Sequence, residues 1–414
     1  MIRVALEPKD IKKVQENALE QFFSGMKSEE YKRTQTGNLK FFVEKVCENM
    51  LKGTFEQRVQ QFVDIAREDQ DKAVGIIQAY LNYLRERTEQ DKTNSEYLNP
   101  SSIPNRIKPI KKLFEMSGIG ITWKQITSRF PEQTNNQKTG AYTREEIKKI
   151  LEHAKHLAIK FTILAMSSGG FRIGSWDEMV WDCIIPIYEV KGKFVKKLEK
   201  GQKGKIVCAL IVVYKGSKEE YEGLISTEAL DVLFEYKKEW TETMGRTPKG
   251  DDPLLLSIGR KGKVLTSTAI RKQINKIRVK AGMTSTLIEG KRRHEVPACN
   301  GFRRYYSTNY SQSEIKGHTL SILQNKEKLM GHYGMVKTDK NYYHPLMQEM
   351  VRDYLQAVPN LIISDEQRMK QQLEQQTIRA DKMEKIENQN EMLSKQVKEM
   401  EVMFRRFKMY LPSQ

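Results

Sequence analysis

Ile206-Val-Cys-Ala-Leu-Ile-Val-Val-Tyr-Lys215 is the stretch that decides the fold class, because its run of β-branched residues breaks a chain otherwise written at helical spacing. Two further β-rich segments flank it, Cys183 to Val190 and Tyr221 to Ile225, separated by Lys- and Gly-rich turns. Together they predict a small antiparallel sheet inside a mainly α protein, an α+β fold with helix in excess. From Ser226 to about Leu361 the spacing is helical again, broken by the basic loop Gly290-Lys-Arg-Arg-His294 and by Gly317.

Upstream of the sheet, Thr143-Arg-Glu-Glu146 has the pattern of a capping box and predicts a helix running through Ala154. Residues 129–142 are polar, carrying Pro131 and paired asparagines, and read as a linker. Residues 1–128 repeat apolar positions at helical spacing, as in Phe41, Phe42, Val46 and then Phe62, Ile65, Ala66, and predict an all-helical domain. Its last helical unit is opened by Asn99-Pro100-Ser101-Ser102 and places Ile103, Ile107, Ile110, Leu113 and Phe114 on one face. Arg106, Lys108, Lys111 and Lys112 lie between them, and serve either as a solvated face or as contacts to phosphate.

Downstream, residues 143–363 form a second domain and 364–414 a C-terminal helix, opened by a second capping box at Ser364-Asp-Glu-Gln367. From Met383 the apolar positions Met383, Ile386, Leu393, Val397, Met400, Phe404, Phe407 and Leu411 step by three and four, with Asn390 as the one polar core position. That is a coiled-coil seam, for which self-association is the expectation and docking on its own domain the competing one.

The 414 residues hold 71 Lys+Arg against 53 Asp+Glu, a formal charge of +18, which favours a polyanionic partner, nucleic acid first. Cys47, Cys183, Cys208 and Cys299 are widely spaced with no Cys-x-x-Cys pair, so reduced thiols are expected rather than a zinc site or a disulfide scaffold. The six histidines form no His-Glu-x-x-His set and no phosphate-binding P-loop is present, so no metal or other cofactor is expected. No apolar run approaches a membrane span, and Met1-Ile2-Arg3-Val4 lacks a signal core. A cytoplasmic protein, on the nucleoid when DNA-bound, is the expectation.

Three features of the second domain carry chemistry when taken together. In Ser167-Ser-Gly-Gly-Phe-Arg-Ile-Gly-Ser-Trp176 the paired glycines permit a tight turn that leaves Arg172 at a helix start. In Val213-Tyr-Lys-Gly-Ser-Lys218, Lys215 ends a strand and enters a turn. Gly301-Phe-Arg303 is followed by Leu329-Met-Gly-His332 and by Asn341-Tyr-Tyr-His344. Transesterification at a phosphodiester builds negative charge on the non-bridging oxygens, and two arginine forks with an imidazole donor stabilise it without a metal. A tyrosine hydroxyl would form a covalent phosphoryl link that keeps the energy of the broken strand, so rejoining needs no ATP. A lysine on a long stem can protonate the departing 5′ oxygen.

The order Arg, Lys, Arg, His, Tyr resembles the tyrosine recombinase/integrase family, and the stretch 329–361 most resembles integrases from archaea. The resemblance covers about residues 140–360 and implies that Arg172, Lys215, Arg303 and His332 are catalytic, with Tyr342 the nucleophile and its neighbour Tyr343 the alternative. The helical first domain looks like the family's core-binding domain. The sequence departs from the pattern in three places. Asn300 stands where the family's histidine is usual, Ser175 stands where an acidic residue is usual, and the interval from His332 to Tyr342 is one residue longer than usual. Asn300 can hydrogen-bond but exchanges no proton near neutral pH.

The resemblance implies a site-specific recombinase acting on double-stranded DNA of a mobile genetic element, self-associating on that DNA as a tetramer. Competing readings are a DNA-binding protein of the same fold with impaired catalysis, a structural DNA-organising protein, and a relaxing type IB topoisomerase-like enzyme. Lys291, Arg292 and Arg293 read as a basic loop on backbone phosphate or as a plain solvated loop.

Overall fold

The computed structural model describes residues 17–26, 29–132, 140–217, 220–257, 262–283, 295–312 and 347–409. The described residues up to Glu132 form one compact unit and those from Gly140 another. The fold is mainly α with one small antiparallel sheet.

The regular elements described in the first unit are helices: α1 (Ala18–Ser24), α2 (Glu29–Phe41), α3 (Phe55–Glu68), α4 (Gln70–Glu89), α5 (Ile103–Met116) and α6 (Trp123–Thr127). A π-helical turn, Phe42–Val46, continues α2. Thr54 and Gln57 form a reciprocal capping box that starts α3, and Asn99 accepts from the Ser101 N–H at 2.9 Å ahead of α5. The apolar face of α5 is buried as its spacing predicts. Phe62 stacks on Phe114 with ring centroids 5.2 Å apart and meets Phe42 edge-on at 5.0 Å, which makes an aromatic centre for this core.

The second unit opens with α7 (Arg144–His153), whose capping box closes in both directions: Glu146 N–H donates to Thr143 Oγ1 at 3.2 Å and Thr143 N–H to Glu146 Oε2 at 2.7 Å. Next comes α8 (Leu157–Gly169), buried around nearly its whole circumference. The sheet follows as β1 (Ile184–Val190), β2 (Lys193–Val195), β3 (Lys205–Val213) and β4 (Tyr221–Ile225), in the spatial order β2-β1-β3-β4 with every pair antiparallel. Ile211 lies opposite Ile184 on one side and Gly223 on the other. Among the described residues, the sheet's partner α9 (Thr227–Met244) is followed by α10 (Ser267–Lys280), α11 (Asn300–Ser311), α12 (Met347–Leu361) and α13 (Asp365–Met409).

The uninterrupted apolar run of β3 has a simple cause, since both faces of the strand are covered. Ala209, Ile211 and Val213 enter a core with Phe161, Trp176, Leu230 and Phe302, while Cys208 and Leu210 enter another with Tyr306, Tyr354 and Val358. The short strand β2 departs from the sequence expectation of three β segments. At three residues it carries too little pattern to read, and the side chain of Gln348 on α12 serves its outer edge: Phe194 N–H donates to Gln348 Oε1 at 2.8 Å, and Gln348 Nε2 donates to the Phe194 carbonyl.

Within the stretch 129–142, Phe130 packs against the first core and Tyr142 is buried in the second; residues 133–139 lie outside the described ones. The root of α13 is tied down by buried Glu228 of α9, whose two carboxylate oxygens accept the backbone N–H groups of Ile363 (2.9 Å) and Ser364 (2.8 Å). Lys148 pairs with Asp365 at 3.0 Å, and Arg144 donates to the Asn360 carbonyl at 3.2 Å. All four cysteines are free and buried. Among the described residues no helix is long and apolar enough to cross a membrane.

Candidate active site

The turn that presents Arg172 is built by two glycines with different duties. A Cβ on Gly169 would stand 2.6 Å from the carbonyl oxygen of Leu224, so the close approach of α8 to β4 excludes any side chain there. Gly170 has φ 67° and ends α8 in the left-handed region, its N–H donating to the Met166 carbonyl at 3.0 Å. Phe171 and Trp176 are both buried, their rings 6.2 Å apart, and they anchor the turn on either side of exposed Arg172. Ser175 closes it, donating from both N–H (3.0 Å) and Oγ (2.6 Å) to the Arg172 carbonyl. The residue that stands where the resemblance expects an acid therefore holds the backbone of Arg172.

Arg303 lies in the first turn of α11. Gly301 just before it must be glycine, because a Cβ there would come within 2.5 Å of the Tyr142 ring, which also packs 4.7 Å from Phe302. The guanidinium of Arg303 donates to the carbonyl of Gly170, the residue two before Arg172. Burial and then the charge of Arg172 push the Arg303 pKa down, while Tyr221 and Tyr306 act the other way. Tyr221, at the start of β4, stands beside Arg303; burial raises its pKa, opposed by Arg303 and Arg172, so its hydroxyl stays a phenol.

The turn carrying Lys215 abuts the Arg172 turn. The Tyr214 hydroxyl lies 3.8 Å from the place a Gly174 Cβ would take, and the Tyr214 ring is 6.3 Å from that of Tyr221. Among the described residues Tyr214 is one of two non-glycine residues with positive φ, at 54°, and Gly216 follows at 79°. Ser217 N–H donates back to the Tyr214 carbonyl at 2.9 Å, and Gly216 N–H to the Glu220 carboxylate at 2.5 Å. Lys215 itself is exposed between them. The segments about Gly170, Tyr214, Tyr221 and Arg303 thus meet in one place, and two guanidinium groups with a neutral phenol can present planar donors to a phosphate.

Asn300 is exposed at the first residue of α11. His332, Tyr342, Tyr343, Lys291, Arg292 and Arg293 lie outside the described residues. In the first unit the cations of α5 rest on the fold's own groups. Arg106 donates to Asn38 Oδ1 at 2.8 Å and lies over Phe41; Lys108 is 5.0 Å from the Tyr31 ring centroid and Lys111 5.9 Å from that of Trp123. The stem of Lys112 packs against Gly25. Cation–π contact leaves the charge in place, so these groups keep their potential for phosphate.

A second basic surface went unread in the sequence. In α10, Lys272, Lys276 and Lys280 recur every four residues beside Arg271, all exposed, with no acidic residue in the helix. That spacing was the available signal. Arg278 is instead buried, 5.5 Å from the Tyr142 ring centroid. Asp177, one residue past the Arg172 turn, accepts from Ser267 N–H (2.5 Å) and Ser267 Oγ (2.7 Å), so the start of α10 is fastened to the chain that carries Arg172.

No protein-family model and no curated protein matches this chain. Among solved structures it is similar to the XerH site-specific recombinase bound to difH substrate in a pre-cleavage complex, at 14% identity over 78% of this chain and 95% of that one, TM-score 0.40. A lambda integrase tetramer bound to a Holliday junction is similar at 15% identity over 77% and 87%, TM-score 0.40. The XerA recombinase is similar at 15% identity over 78% and 98%, TM-score 0.32.

Proposed function

We propose that this chain is a site-specific DNA recombinase or integrase that cleaves and rejoins duplex DNA through a 3′-phosphotyrosyl intermediate, with no metal and no ATP. The observation that carries the reading is the meeting of Arg172 and Arg303 at the Gly170 turn, beside the Lys215 turn, in a chain of formal charge +18. In this reading the two guanidinium forks and His332 hold the non-bridging oxygens as charge grows on them, Asn300 adds a neutral hydrogen-bonding group, and Lys215 protonates the leaving 5′ oxygen. Tyr342 attacks phosphorus and releases that oxygen; the reverse attack by a 5′ hydroxyl frees the tyrosine and reseals the strand. Arg271, Lys272, Lys276 and Lys280 of α10 join Arg106, Lys108, Lys111, Lys112 and Lys291 to Arg293 in binding backbone phosphate. The biological setting proposed is integration and excision of a mobile element, with four chains in the recombining complex.

A nicked suicide substrate carrying the target site tests this. The wild-type chain should become covalently attached to DNA, Tyr342→Phe should form no adduct, and Tyr343→Phe should keep it at reduced yield. Loss of the adduct in the Tyr343 variant alone would transfer the nucleophile to Tyr343. Absence of any adduct from the unmutated chain, with DNA still bound, would leave the second reading, a DNA-binding protein of impaired catalysis, which Asn300 favours because it cannot carry a proton.

A further inference from the structure

We propose that α13 is one strand of a parallel, in-register, two-stranded coiled coil that joins two copies of this chain in the absence of DNA. The inference concerns the free protein and does not depend on the recombinase reading.

α13 runs unbroken for 45 residues, about 68 Å at the helical rise, and among the described residues its ties to the rest of the unit lie in its first turns. Beyond them an apolar stripe faces solvent: Met383, Ile386, Leu393, Val397 and Met400 are 64%, 55%, 56%, 48% and 57% exposed. With position a at Met383, the heptad places Asn390 and Val397 at a, and Ile386, Leu393 and Met400 at d. The sequence continues this register through Phe404 and Phe407.

The stripe fits a second copy of itself, and in one orientation. In a parallel, in-register pair each a residue meets its own counterpart, so Asn390 faces Asn390 and the two amides can satisfy each other. In an antiparallel pair a faces d, and Asn390 would be set against an apolar side chain with its amide unmet. The flanking positions agree with the parallel choice. Lys382 at g falls opposite Glu387 at the partner's e, and the later g–e pairs, Gln389 with Ser394, Gln396 with Glu401 and Met403 with Lys408, contain no like charges. Val at a beside Leu at d, as in Val397 and Leu393, suits two strands. Because Glu228 and Lys148 fix the root of the helix, such a pair would carry two catalytic units into the same encounter with DNA at high effective concentration.

Full-length protein without DNA provides the test. Sedimentation should give twice the 48.3 kDa chain mass. Met383→Cys and Val397→Cys should each form interchain disulfides on mild oxidation, roughly tenfold faster than Lys395→Cys on the outer face of the same heptads. The native cysteines are all buried and should contribute no background. Asn390→Val should relax the state and yield species larger than a dimer. A monomeric wild type would overturn the proposal and mean that the stripe docks on its own chain; a three-chain mass would overturn the two-stranded state, and equal crosslinking at 395 and 397 the register. None of these readouts requires cleavage or DNA binding, so failure of the recombinase reading would leave them unchanged.

Discussion

Arg303 reaches across to the carbonyl of Gly170, two residues before Arg172, and burial together with the Arg172 charge lowers its proton affinity. Two like charges held in one place suit an anion, and the oxygens of a phosphate can match the planar fork. Replacing Arg172 or Arg303 by alanine should therefore reduce cleavage on the order of 10²–10³-fold, the cost of losing one preorganised donor to a developing oxyanion. DNA affinity should change little, since many cations outside the site contribute to it, and the salt dependence of binding should stay steep in both variants. Single-turnover cleavage beside a filter-binding salt titration measures the two effects separately.

Asp177 should matter to DNA through α10 rather than through chemistry. Alanine at this position removes an acceptor from both Ser267 groups and should cost about 1 kcal/mol of stability. DNA affinity should fall while cleavage per bound complex is retained. Thermal melting and binding isotherms on the same preparation give both numbers.

Glu228 lends the second unit a pH dependence. Burial raises its pKa above the ordinary 4.5, against the pull of the Ile363 and Ser364 N–H groups. A carboxyl raised in the folded state contributes stability that is fully present below its unfolded pKa and is lost as pH rises through the folded value. Stability should thus decline from about pH 4.5 upward by this contribution, and Glu228→Gln should flatten the decline. The amide keeps one acceptor oxygen where two N–H groups need one each, so the variant should also lose roughly 1–3 kcal/mol near pH 5. Urea titrations across that pH range would show an unchanged slope if Glu228 has no such role.

The thiols should be silent until the chain unfolds. Burial pushes Cys47 and Cys299 up to about 11 and Cys208 further still. The thiolate is the reactive form, so an aromatic disulfide reagent at pH 8 should titrate almost none of them in the native chain and all of them in denaturant. Rapid reaction of one native thiol would contradict the packing around it.

How far the sequence could be read depended on the range of the interaction. The Thr143–Glu146 box and the apolar stripe of α5 are local, and the helices they imply are present. Likewise the three long β segments, whose patterns are their own, became β1, β3 and β4 within a residue or two at each end. What stayed hidden needed a partner from far along the chain. β2 is held as much by Gln348 as by its own three residues. The duty of Ser175 depends on the shape of a turn, and that of Asp177 on a helix ninety positions away. The approach of Arg303 to Arg172 spans 133 positions to Gly170 and could be expected only from the resemblance, not from spacing. The basic repeat of α10 is different, because Lys272, Lys276 and Lys280 stand four apart and are local to one helix.

The pair of bonds between Gln348 and Phe194 has a consequence for the protein at high concentration. A sheet's outermost strand offers a row of bare amides and carbonyls onto which another chain can add a strand, and flat, apolar borders of this kind seed aggregates. Here one side-chain amide, with a donor and an acceptor at fixed separation, stands in for the strand that would otherwise come next. Gln348→Ala would strip that guard while leaving the charges of the protein unchanged. A pairing of copies such as the one proposed for α13 would make this guard matter more, because drawing copies together also draws together every border that could join them by mistake.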